Sequence, residues 1–510
     1  MADIALKRFQ LGLEDAYTAG ANSVYNGGSA VAATRRFAVD KSVSADWVPT
    51  FESPVEARGS YAGAFTHILH MIMASGKLPA AVYPDDLVFL LRMLTSGVPT
   101  ITALKPTAPT ILATTALVTT ELSDPISATT QPNAMADIPA GVTNVGKILE
   151  IVLTNAAANT QEVLVTVTGT DIYGNALVEA VDFTAGTTTP SKVGGGAGAL
   201  SCTLYTQNYF RTINANGIVA SSATDLPSDS IEINAVNAFT WKFLPDMGVS
   251  TVKSATGEYF DGTASWQLPG VVLSKADIQA TIGKSLAFSG TYDAKSKLAL
   301  AATAASINPA ANTGDLDALT DLADNFIQAI PTYQALFLAG DMGANPDTGL
   351  VQVSARLSDF KFTIDNATKL GKTADGTPYP TFVSRDYYGD KIAAVATLMF
   401  QEYSGSSIDP TEVAKFLAYA SRTVRAAFPG PAMPCGMLSV PGNWPTNLQQ
   451  SAKGGGYGFQ IDCSGKWMTA NEAAIDTRAA FSFNLNSEVD LVTMGVPYQI
   501  TVVSRISPNQ

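Results

Sequence analysis

Residues 359–365, DFKFTID, place Phe360, Phe362 and Ile364 on one face of an extended chain and Lys361, Thr363 and Asp365 on the other. Successive side chains of extended backbone point to opposite faces, so a period of two is the repeat of a strand buried on one side. The alternation returns in PYQITVVSRIS through Tyr498, Ile500 and Val502, and predicts a last strand that closes a sheet. Strand patterns of this kind dominate the chain. The expected fold is therefore mainly β with a few flanking helices (β+α).

Three stretches carry helical spacing instead. YPDDLVFLLRMLTSG (83–97) has Pro84 at a first helical position and Asp85 and Asp86 in the positive first turn. An apolar stripe follows at Leu87, Leu90, Leu91 and Leu94, with Gly97 as a stop. DPTEVAKFLAYASRTVRAAFPG (409–430) has the same grammar: Asp409 as cap, Pro410, Glu412, a stripe through Val413, Phe416, Leu417, Ala420 and Val424, then Pro429. GDLDALTDLADNFIQAIP (314–331) spaces Leu316, Leu319, Leu322, Phe326 and Ile330 three or four apart and ends at Pro331. All three are predicted as one-sided helices lying on sheets. The first two each follow a long stretch of strand character, EARGSYAGAFTHILHMIM and DKIAAVATLMFQEYSG, which reads as a faint internal repeat.

Between residues 106 and 238 the composition shifts toward Thr, Ala, Gly and Ser. Short strands such as KILEIVLTN and EVLVTVTGTDIYGN alternate there with Gly, Asn and Pro turns, the pattern of a self-contained β-sandwich inserted near Pro106 and ending near Phe239. A chain of 510 residues accommodates two to four domains at roughly 100–200 residues each. The expected division is 1–105 with 239–300 as one domain, 106–238 as the insert, 301–330 as a helical linker and 331–510 as a second domain.

Charged residues are 15% of the chain, against about 25% in an ordinary soluble domain. Solubility then rests on uncharged polar residues, as suits a protein that works assembled. The formal net charge of −13, without a run of Lys or Arg to override it, argues against tight nucleic-acid binding. Behind Lys7 and Arg8 there is no uninterrupted apolar stretch, nor a run of about 18 apolar residues later, so neither standard export nor membrane spanning is expected. Cys202, Cys435 and Cys463 are odd in number and far apart, which argues for reduced, buried thiols over a disulfide framework or a CxxC metal site.

Candidate chemistry is sparse. His67 and His70, in AFTHILHMIM (64–73), are the only histidines. On a helix they would share a face, but a zinc site needs further ligands; on a strand, residues three apart point to opposite faces. A structural role is expected for both. IGKS (282–285) and LGKT (370–373) end like phosphate loops, yet the positions that require the earlier glycine hold Ile278 and Asn366. VGGGAGAL (193–200) and KGGGYGF (453–459) lack the strand–GxGxxG–helix layout and read as flexible loops. Asp315, Asp317, Asp321 and Asp324 read as a solvated helix face, and no GxSxG elbow is present. No catalytic, cofactor-binding or metal-binding residue is assigned, and the chain is expected not to be an enzyme.

LGLEDAY…GGSAVAATRRFAVDKSV (11–43) resembles the opening of the major tail tube proteins of long, flexible-tailed bacteriophages. EARGSYAGAFTHILHMIM…YPDDLVFLLRMLTSG resembles the strand-then-helix element that follows there. LSDFKFTIDNATKLGKTADGTPYPTFVSRDYYGDKIAAVATLMFQEYS resembles a later run of two strands, and TGTDIYGNALVEAVDFTAGT is similar to immunoglobulin-like decorations of phage virion proteins. The resemblance implies duplicated tube domains of β-sandwich or barrel type plus an inserted Ig-like sandwich. It implies a structural virion protein, made in the host cytoplasm, that self-assembles into stacked rings around an acidic lumen through which DNA passes during ejection. Its partners would be copies of itself and the tape measure, terminator and tail-tip proteins, with no cofactor and no membrane. A ring of six wedges, with two wedges per chain, favours a homotrimer of pseudo-sixfold symmetry; a homohexamer is the alternative. A tail-tip or baseplate hub of the same fold, or a β-sandwich surface adhesin, are the rival classes.

Overall fold

The computed structural model describes residues 7–14, 33, 35–37, 39–52, 68–95, 99–105, 110–116, 123–125, 147–155, 163–170, 176–183, 200–208, 210, 212–222, 230–236, 238–245, 253–300, 332, 336–341, 350–352, 357–371, 378–380, 382–385, 393–401, 421–429, 434–453, 456–465, 480–485, 488–493, 498–504 and 506–508. Two compact units emerge: Met1–Asp15, Asn22–Pro99 and Lys242–Val502 form the first, and Ala16–Ala21, Thr100–Trp241 and Val503–Gln510 the second. Both are mainly β.

In the first unit a run of antiparallel partners begins with Ser44–Glu52 on Ile68–Ala81, continues through Ala287–Ala294 to Ser265–Thr281, and reaches Leu357–Asp365 and Ala393–Gln401. Gly456–Gly465, Pro434–Lys453, Ser421–Pro429 and Leu336–Asp341 extend the same ladder. Ser265–Thr281 is central because it serves two sets of partners. Its first residues pair with Ala255–Phe260, which in turn pairs with Arg8–Leu13, and its later residues lie between Ala287–Ala294 and Leu357–Asp365. The change of partner falls at Gly270, whose φ of 64° is open to glycine but strained for other residues. The backbone there is held by the buried Glu14 carboxylate, which accepts from Gly270 N at 2.7 Å, Ser254 Oγ at 2.5 Å and Thr256 Oγ1 at 3.1 Å.

The alternation in DFKFTID behaves as predicted: Phe360, Phe362 and Ile364 are buried, and Lys361, Thr363 and Asp365 are half-buried. Phe360 meets Phe337 at 5.2 Å between ring centroids, Phe337 meets Phe428 edge-on at 5.8 Å, and Phe362 meets Tyr498 edge-on at 5.9 Å. Full burial of each such side chain contributes about 1.5–3 kcal/mol, so this aromatic column is a main support of the unit.

Pro84–Thr95 is the helix that its sequence predicts, with Asp85 and Asp86 in the first turn. It differs in being buried on all sides, with only Phe89 half-buried, instead of one-sided. Val88 and Met93 carry the apolar surface beyond the leucine stripe, and Asp86 is neutralised by Arg35. The expected helix over 409–430 is corrected at its end, because Ser421–Pro429 is a strand. There Val424, Ala426 and Phe428 are buried alternately, and the period of two claims Val424, the residue with which the helical stripe ended. Residues 402–420, the helix at 314–331, the linker at 301–330 and residues 193–199 lie outside the described residues.

Two further expectations change. Gly456–Phe459 of the second glycine cluster belong to a strand, with Ser451 opposite Gly458 and Lys453 opposite Gly456, so they are not a flexible loop. The last strand, Gln499–Ser504, is buried on both faces and not on one. On the face that carries its polar residues, Gln499 Nε2 donates to Thr501 Oγ1 at 3.3 Å.

The second unit contains two four-stranded antiparallel sheets. One has the order Ala176–Asp182, Val163–Thr170, Thr212–Ser222, Ser123–Pro125; the other Leu200–Tyr205, Ile148–Asn155, Ser230–Val236, Thr110–Ala116. They share one apolar core, to which Val163, Val165 and Val167 contribute from the first and Leu149, Ile151 and Leu153 from the second. Cys202, which forms no disulfide, is buried in that core.

Candidate functional site

The two strands at the start of the main ladder form a ribbon with an exposed apolar face. Trp47 is 42% exposed, Phe51 56% and Leu69 42%, where interior residues of these types approach zero. Register places Trp47 opposite Ala74, Pro49 opposite Ile72 and, after a bulge, Phe51 opposite Leu69. Directly opposed residues share a face, so Trp47, Pro49, Phe51, Leu69 and Ile72 line one surface. Contiguous apolar surface of this kind on a water-facing ribbon marks a contact site.

Pro49 gives this surface a direction. Ile72 N donates to Pro378 O at 2.7 Å, away from Ser44–Glu52, which makes Pro49 and Ile72 a non-hydrogen-bonded pair. The proline nitrogen, lacking a proton, therefore faces away from its partner strand. A second chain adding to that edge would find no donor there, so the ribbon offers its face more readily than its edge.

The base of the ribbon is clamped by side chains that donate to three successive carbonyls. Val43 O accepts from Lys7 Nζ at 2.9 Å and Tyr259 Oη at 3.4 Å, Ser44 O from Tyr292 Oη at 2.7 Å, and Ala45 O from Lys297 Nζ at 2.8 Å. Lys297 also lies over the Trp266 ring, 4.4 Å from its centroid, and over Tyr259 at 5.8 Å. Burial, then the neighbouring Asp261 and Asp46 carboxylates, push the Tyr259 phenol up, which keeps it a donor. Gly76 completes the clamp: an added Cβ would stand 2.0 Å from Ser44 O and 2.5 Å from Tyr292 Oη.

Beside this ribbon the sequence candidates are dispersed. His70 is exposed on the strand Ile68–Ala81, and His67 lies outside the described residues. IGKS forms the turn between Ser265–Thr281 and Ala287–Ala294, with Gly283 at φ 86°. In LGKT, Leu370 and Gly371 end the strand Thr368–Gly371. Asp315, Asp317, Asp321 and Asp324 lie outside the described residues. Among the described residues, no group of three or more His, Cys, Asp and Glu side chains is placed to hold a metal ion.

Sequence reasoning passed over Trp47, Phe51 and Leu69, because SADWVPTFE alternates like any half-buried strand. The signal that could have found them is Pro49 in the middle of that alternation, which marks an edge strand. The chain matches no protein-family model and no curated protein.

Proposed function

We propose that this chain is a structural subunit that self-assembles into stacked rings, a tail tube of the long-tailed phage type, with residues near 106–238 forming an Ig-like decoration on a duplicated tube body. The exposed apolar face at Trp47, Phe51 and Leu69 carries this reading. Burying the remaining surface of these side chains gains on the order of 1 kcal/mol each. A gain of about 3 kcal/mol does not offset the roughly 4–15 kcal/mol lost when two bodies associate. The surface therefore works with other contacts in a closed assembly, where each subunit meets several neighbours, and a lone dimer is disfavoured. The acidic chain suits a lumen that DNA crosses without sticking. A ring of three chains, each supplying two wedges, is the preferred stoichiometry.

Negative-stain microscopy of the purified protein tests the reading. Hollow filaments are expected, with three decorations around a six-lobed wall in end-on averages. Six decorations would exclude the trimer, single rings would favour a tail-tip hub, and monomers at all concentrations would sink the proposal. In Phe51→Glu, filaments are expected to disappear while the far-UV circular dichroism stays that of the parent.

A further inference from the structure

On the second sheet of the second unit, the face turned away from the apolar core holds a row of polar side chains. Glu150 stands opposite Tyr205 on one neighbouring strand and opposite Asn234 on the other. Leu149 and Ile151 on either side of it point into the core. Glu150 and Asn234 are each only 5% exposed. One oxygen of Glu150, Oε2, receives both the ammonium of Lys105 and, at 3.2 Å, Nδ2 of Asn234. The other, Oε1, accepts from Tyr205 Oη at 3.2 Å. Asn234 Nδ2 also donates to Glu232 Oε1 at 2.9 Å, and Glu232 Oε2 accepts from Thr114 Oγ1 at 3.1 Å. Two carboxylates thus fix which end of the carboxamide faces them, because reversing it would turn its oxygen toward both.

We propose that Lys105, Glu150 and Asn234 form an autocatalytic site that joins Lys105 Nζ to Asn234 Cγ in an isopeptide bond. An amine and a carboxamide held on one carboxylate oxygen lie within two hydrogen-bond lengths of each other, and the carboxylate that touches both nitrogens is positioned to pass protons between them. Glu150 takes a proton from the Lys105 ammonium, and the freed lone pair of Nζ adds to Cγ of Asn234. Glu150 then relays a second Nζ proton to Nδ2, the Cγ–Nδ2 bond breaks with its electron pair going to nitrogen, and ammonia leaves. The first proton follows it, so the net products are one amide and one ammonium ion, with Glu150 restored. The balance requires neither oxidant nor reductant. Tyr205 holds Glu150 in place throughout; burial, then the Glu150 charge, push its phenol up, so it remains a donor. Tyr205 is itself packed edge-on against Phe239 at 4.9 Å.

The bond would have a mechanical consequence. Lys105 directly follows the strand Thr100–Leu104, and Asn234 lies on the last strand before Ala238–Phe243. Joining them closes nearly all of both sheets into one covalent loop. Tension applied along the chain would pass through the new amide and leave the two sheets unloaded.

Intact-mass spectrometry of the full chain tests this. The expected mass falls below the sequence mass by one ammonia, and a tryptic digest yields a branched peptide containing both Lys105 and Asn234. Lys105→Arg keeps a cation for Glu150 but has no amine able to attack in this way, and should restore the full mass with an unchanged circular dichroism spectrum. Asn234→Ala and Glu150→Gln should restore it too. An unmodified wild-type mass, with linear peptides at both positions, overturns the proposal. So does an ammonia loss that persists in Lys105→Arg, which would come from succinimide formation elsewhere, as at Asn216–Gly217. Cross-linking undiminished in Glu150→Gln would overturn the role given to Glu150.

Discussion

Asp86 illustrates how burial and pairing compete at one residue. Its Oδ1 accepts from Arg35 Nε at 2.9 Å and Nη2 at 2.7 Å, while Oδ2 is buried without a hydrogen-bond partner. Burial pushes the carboxyl up from its ordinary 3.8 to about 6, against the pull of Arg35 and with some help from Asp85. A raised carboxyl binds its proton more tightly folded than unfolded. Its stabilising effect is therefore complete below about 3.8 and is lost as pH rises through about 6. At about 1.4 kcal/mol per pH unit, the effect amounts to about 3 kcal/mol. Denaturant titrations at pH 5 and pH 8 should show the first unit less stable at pH 8 by about 1.4 kcal/mol, because only the stretch of the window from pH 5 to about 6 is crossed, and Asp86→Asn should flatten the difference. An Asp86→Asn protein with the parent's full pH dependence would show that another group is responsible. The two acids were legible in the sequence as a helix start. That Asp86 is sealed from water could not be read there, because its partner is 51 positions away.

At the scale of elements, the ribbon and the helix make opposite demands on their residues. The ribbon keeps large apolar groups outside and depends on its base for rigidity. Gly76→Ala puts a methyl into Ser44 O and the Tyr292 ring, and both are held by other bonds. A loss of about 2–4 kcal/mol in stability is expected, together with faster proteolysis in the ribbon, read by thermolysin digestion. The helix buries nearly everything it has. Leu91, fully inaccessible, should cost about 2–5 kcal/mol when replaced by alanine, measured as a shift in the denaturation midpoint at constant slope. Helix Pro84–Thr95 was legible because its first-turn proline, acids, apolar stripe and stop agreed. Ser421–Pro429 was misread because its apolar spacing satisfies both periods over a short run. Strand partners on either side, Leu336–Asp341 and Pro434–Lys453, fix its conformation there.

For the whole molecule, the two units divide the chain close to where its composition changes. Thr100–Leu104 and Ala238–Phe243 are paired strands, so a short linker can replace the chain between them. Replacing residues 106–237 by a few Gly and Ser residues should leave the first unit folded by near-UV circular dichroism and still able to form filaments. An insoluble product would show that the two units depend on each other for folding. What the sequence determined alone is whatever rests on neighbouring residues: the β character, the Pro84–Thr95 helix, the alternation at Phe360, Phe362 and Ile364, and the change of texture near residue 106. These follow from local periodicity and capping, which act within a few positions along the chain. Only the tertiary structure decided that Trp47, Phe51 and Leu69 stay outside, that Asp86 is enclosed, and that Lys105, Glu150 and Asn234 converge. Burial and convergence depend on which distant strands pair, and the same alternation of letters is compatible with either face meeting water.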